Sequence, residues 1–310
     1  MSLPPDQIKL LLLGAIPPFI VGAILFFLLA PKSAEQSDAA GKLPRPRQAW
    51  LLPVTLCTLI FILQPLIVGK FVLYPHSASE WSLLTALIAT VLSLTALALK
   101  RPRAFRLLAR FGALVTLGGF VAQNHFFRWS LPEKFAWLGL LGAFATVAWF
   151  SLSHVVTLNK GISGIGILAL FTLAGAVACE PGFSSLPSAQ TIGIVSWALL
   201  GGAAVALIRP NLRLAENATH IPVFVTFMIA FVAALGAGDD PTWLKILFGA
   251  LITLVPTLPF LADALWKPAT PTTTKRTILR LTLALIPFIT LAAIAGKRAL
   301  DALAADPYAN

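Results

Sequence analysis

The chain has 310 residues, 58% of them hydrophobic and 11% charged, with a formal net charge of +11 and a mean hydropathy of +0.87. Soluble domains are about a quarter charged, because water-facing surface needs a polar coat; this composition excludes an ordinary soluble protein and makes lipid the solvent for most of the chain. The positive charge would point to nucleic acid in a soluble domain. In a lipid-embedded chain it points to loops held against anionic headgroups, and no segment resembles a nucleic-acid-binding module.

A helix needs about 20 apolar residues to cross the hydrocarbon layer. Ten segments answer to that: 8–30, 49–70, 81–99, 108–127, 135–158, 162–179, 191–208, 221–237, 242–266 and 277–296. The predicted fold is all-α: one integral membrane domain over residues 1–310, a polytopic bundle of about ten transmembrane helices. Sixteen of the 23 Lys and Arg residues fall in the odd-numbered gaps, which carry 4, 5, 1, 2 and 4. The positive-inside rule then places those gaps in the cytoplasm and both termini outside. A bacterial inner (plasma) membrane is the expected location. The widest gap, 31–48, has 18 residues, too few for a soluble catalytic or nucleotide-binding domain.

In chain order, segment one carries Pro17 and Pro18. It reads as a retained helix rather than a signal peptide, since cleavage would leave the five basic residues of gap three outside. Segment two carries Pro65 with Gln64 beside it; the amide either repairs the hydrogen bond that proline removes or binds a ligand. At the outer surface His76 and Glu80 precede segment three, and His125 and Arg128 follow segment four, a polar cluster without a second ligand pair to hold a metal. Residues 100–110 (KRPRAFRLLAR) form a predicted basic amphipathic surface helix. Trp81, Trp137 and Trp243 mark an outer aromatic belt, and Trp50, Trp149 and Trp266 an inner one.

Segment five holds His154 near its inner end, with Ser151, Ser153 and Thr157 close in sequence. This is the best candidate base in the chain, or a helix–helix hydrogen bond. Small residues repeat every fourth position at Gly139 and Ala143, and again at Ala198, Gly202 and Ala206 of segment seven, a spacing that lets helix backbones approach closely. Gly161-Ile162-Ser163-Gly164 is similar to the way rhomboid intramembrane proteases present their serine at a helix start. The similarity stops there. A histidine base is also required, His154 lies only nine residues earlier, His220 lacks the accompanying glycine pattern, and the serine falls on the cytoplasmic side. Asn217-Ala218-Thr219 matches a glycosylation sequon but lies in a cytoplasmic gap.

Segment nine carries Pro256, Pro259 and Asp263, and segment ten Pro287. Asp263 is expected to touch Lys267 one turn on, and Lys245 to reach toward Asp239 and Asp240. Residues 54–70 and 281–297 match at 7 of 17 positions without gaps, a duplication relic or a coincidence of Leu/Ile-rich sequence. Cys57 and Cys179 lie at different depths and are expected to be free thiols.

The functional expectation is a transporter or permease with a weakly charged path beside the proline-bearing helices one, two, nine and ten, since broken helices line cavities in such proteins. The alternatives are a non-catalytic scaffold or anchor subunit of a larger complex, and a lipid-active membrane enzyme. No catalytic, cofactor or metal set is predicted. Expected partners are membrane lipids, with anionic headgroups at the cytoplasmic loops, and partner protein subunits, without nucleic acid.

Overall fold

The computed structural model describes residues 5–29, 50–68, 80–98, 103–122, 129–183, 185–210, 212, 214–237, 240–265 and 273–305. Each predicted segment contains a helix: α1 (Pro5–Leu29), α2 (Leu51–Val68), α3 (Trp81–Ala98), α4 (Arg103–Val121), α5 (Leu131–Leu158), α6 (Ile162–Val177), α7 (Leu186–Ile208), α8 (His220–Gly236), α9 (Thr242–Leu265) and α10 (Thr273–Ala305). A π turn (Ala178–Gly182) closes α6, and a 3-10 turn (Glu216–Thr219) leads into α8. No strand occurs among the described residues. Six helices, α5 to α10, are long and apolar enough to cross a membrane, counting the turns that adjoin α6 and α8; the apolar stretches of α1 to α4 are shorter.

The axis is α8. Its residues 220–235 are all buried, as a sequence apolar on every side requires. Around it α2, α3, α4, α5, α6 and α7 follow one another and close through the contact of α7 with α2. Outside this ring α1 lies on α7 and α2, while α9 and α10 cover α5 and α6. Contacts join residues of like depth. At one end Ser93 meets Asn217, Gly161 meets Leu212 and Asp263 meets Arg280. At the other, Phe183 packs on Phe248 and Asp240 pairs with Arg298. Consecutive helices therefore alternate in direction, and Arg110, Arg209, Arg276 and Arg280 gather at the first end, hereafter the basic end.

The small residues of α7 act as expected. A Cβ on Gly201 would collide with the Phe19 carbonyl, one on Gly202 with the Phe26 ring, and one on Gly22 with the Ala198 carbonyl. Ala206 is buried. Gly139 faces open space and Ala143 is exposed, so that pair joins no helix; Gly142 instead packs against Phe111 of α4. The helices bearing Pro17, Pro18, Pro65, Pro256, Pro259 and Pro287 run unbroken through them. They also divide into two pairs, α1 and α2 on α7, α9 and α10 on α5 and α6, instead of enclosing one path. Both cysteines are free and buried.

Candidate functional site

The described part of the basic stretch, from Arg103 on, is not a separate surface helix. From Arg103 it runs straight on into the bundle as α4, and this continuity turns Arg110 inward, where it is 5% exposed. Arg110 Nη1 donates to Glu216 Oε1 at 3.0 Å, and the guanidinium carbon sits 4.5 Å from the Trp149 ring centroid. Trp149, expected in the inner belt, is 1% exposed in the core. It meets His220 edge-on at 4.7 Å and Phe224 at 5.4 Å. Trp50 and Trp243 do face outward, as a belt requires.

His220 opens the central helix and is fully buried. Its Nδ1 lies 3.0 Å from the Asn217 carbonyl oxygen. A carbonyl only accepts, so Nδ1 carries a proton and donates it. The same oxygen accepts from Ser93 Oγ at 3.3 Å, and Thr219 Oγ1 donates to the Glu216 carbonyl at 2.8 Å. The loop that carries these groups is tucked under the bundle by Gly161. At φ +63 this residue adopts a conformation that favours glycine, and its N–H donates to the Leu212 carbonyl at 2.7 Å. Asn217 is buried, so its sequon is a packing residue. The assembled site is a guanidinium held between a carboxylate and an indole face, with an oriented imidazole beside it. Ionisable groups at such depth are costly and mark function by default; the indole offsets part of the desolvation through a cation–π contact.

The predicted polar residues lie elsewhere. His154 packs edge-on against Phe260 of α9 at 5.0 Å, and beside it Ser151 and Thr257 share a hydrogen bond of 3.3 Å. Lys267, the expected partner of Asp263, is outside the described residues; both Asp263 oxygens accept from Arg280 Nε at 2.9 and 3.1 Å, and Arg276 Nη2 stands at 3.4 Å. Asp240 pairs with Arg298, Asp239 is outside the described residues, and Lys245 lines a cavity of about 50 Å³ between α5, α8 and α9. That cavity is otherwise walled by apolar side chains including Trp137, Phe144, Phe227 and Ala230. Gln64 is buried. Glu80, expected at the outer surface, is 3% exposed just before α3. His76, His125 and Arg128 fall outside the described residues. Ser163 Oγ is buried without a hydrogen-bond partner, so no histidine activates it.

Among the described residues no three His, Cys, Asp or Glu side chains group as metal ligands. Comparison with protein-family models, with curated proteins and with solved structures finds no match to this chain. The cluster on Arg110 escaped the sequence because each member has an innocent local reading: basic surface residue, belt tryptophan, sequon. One signal was available, in that a Glu and a His flank Asn217-Ala218-Thr219 directly before a long apolar run with no charge.

Proposed function

We propose that the chain is a membrane transporter whose path follows the seam between α5 and α8, with the basic end facing the cytoplasm of a bacterial inner membrane. The Arg110–Glu216–His220 cluster carries this reading, because it sets ionisable side chains at the base of the central helix of a lipid-embedded bundle. Along the same seam, toward the other end, lies the apolar cavity lined by Ala230 and Lys245. Between the two, Trp149 and Phe224 close the way by edge-to-face packing. A binding cavity at one end, an aromatic constriction and a charged station at the other are the parts alternating access requires. Of the proline-bearing helices, α9 borders this cavity.

Thiol accessibility tests it. In a Cys57→Ser/Cys179→Ser background, a membrane-impermeant maleimide is expected to label Ala230→Cys from outside and Ser153→Cys from the cytoplasmic side. Ala305→Cys, at the exposed end of α10, is expected to react in intact cells and reports sidedness. Ala230→Cys and Ser153→Cys silent from both faces would mean a solid bundle, which is the scaffold reading.

A further inference from the structure

The inward face of α3 consists of Ser82, Thr85, Ala86, Ala89 and Ser93, each fully buried. At 3.6 residues per turn these five share one arc about 100° wide, and the neighbour of α3 with the most extensive packing is the central helix α8. From Ser82 to Ser93 the arc rises about 16 Å, roughly half the hydrocarbon thickness. Ionisable groups stand at both of its ends. Glu80, buried, immediately precedes α3; Ser93 joins the Asn217 carbonyl that orients His220, with Arg110 and Glu216 beyond. On the flank of α3, buried Cys57 of α2 stands beside Thr90. Seven residues farther along α2, about 10 Å, buried Gln64 comes level with Ser82 and Thr85.

Hydroxyls on a buried helix face are ordinarily absorbed by the helix itself. Thr90 donates to the Ala86 carbonyl at 2.7 Å, Thr253 to Gly249 at 2.8 Å and Thr172 to Ala169 at 2.9 Å. Thr85 does not do this: its Oγ1 is buried and has no hydrogen-bond partner. A buried hydroxyl left without a protein partner is where an internal water binds, given further polar groups in reach, and Ser82, Gln64 and Glu80 are the polar groups at that depth.

We propose that water threads this seam and that the inward face of α3 is a proton path between Glu80 and the His220 cluster. Glu80 takes up the proton as a carboxylic acid. Hops through water and the hydroxyls of Ser82, Thr85 and Ser93 each form one O–H bond and break another. Water carries the proton from Ser93, whose own hydroxyl faces the Asn217 carbonyl, to Nε2 of His220, and the imidazolium so formed loses a proton to water at the basic end. One proton moves and no other reactant is consumed. The path deepens the transporter reading, and rests on it, by supplying the ion that drives transport.

The full chain in lipid vesicles, with a trapped pH dye and a valinomycin-set potassium potential, tests it. Proton entry is expected to exceed that of protein-free vesicles about tenfold, and Glu80→Gln and Thr85→Val each to remove most of that excess, a barrier change of about one decade. Thr85→Ser keeps the hydroxyl and the flux; Thr58→Val, on the exposed side of α2, leaves it unchanged. If Thr85→Val does not fold, Ser93→Ala gives the same reading. Wild-type flux equal to protein-free vesicles, or undiminished flux in folded Thr85→Val or Ser93→Ala, overturns the path. Silent proton flux with reactive Ala230→Cys and Ser153→Cys thiols would remove the path and leave the transporter reading standing; flux with both thiols silent would do the reverse.

Discussion

Two helix joints on opposite flanks of the bundle are made by opposite means. Where α1 crosses α7, Gly22 and Gly201 bring backbone against backbone, and the joint is one of shape. Where α9 meets α10, charges clamp both ends, Asp263 with Arg280 and Arg276 at the basic end and Asp240 with Arg298 at the other. Lipid tails are as apolar as leucine, so burying apolar side chains between helices gives little net attraction in a membrane. Association must come from close van der Waals contact or from polar pairing, and this chain uses one device on each side. The α9–α10 clamp also explains why Asp263 is not a free pathway carboxylate: it is committed to a nearly buried guanidinium.

The comparison is broken most severely by Asp263→Ala. It strands Arg280, which is itself buried, and loss of one member of a buried pair costs about 3–5 kcal/mol. Thermal unfolding in detergent is expected to show this as a large drop in Tm. Replacing both partners, Asp263→Leu with Arg280→Met, is expected to recover most of it, since the uncompensated charge is then gone. On the other flank Gly201→Ala forces a methyl into the Phe19 backbone and is expected to cost about 1–3 kcal/mol. Gly139→Ala, which meets open space, is expected to stay within about 0.5 kcal/mol of wild type; equal effects at the two glycines would refute the shape joint. A small effect is also expected for Arg298→Ala. Its partner pair is partly exposed, so its removal is worth less than about 1 kcal/mol, and added salt is expected to shrink the difference further.

Much of the scaffold was legible because hydropathy acts segment by segment. All ten apolar stretches became helices, and the four-residue spacing of Ala198 and Gly202 announced a close helix contact. The site was not legible. Arg110 and the other basic residues of 100–110 look alike in sequence, yet α4 turns Arg110 inward to Glu216, 106 positions away. Asp263 is held by Arg280, 17 positions away across a helix hairpin, which no local spacing announces. Glu80 read as an outer-surface residue, yet the packing of α3 buries it. Prolines drew attention to helices that proved to run unbroken and apart.

By itself the sequence determined the helices and their medium: transfer of apolar side chains into lipid is nearly additive along a chain and needs no knowledge of neighbours. Tertiary structure alone decided which faces turn inward and which charges meet. A helix uniformly apolar around its circumference has no preferred side, so small differences in packing and a few polar pairs between distant helices, not hydropathy, choose α8 as the axis and place Arg110, His220 and Thr85 in its company.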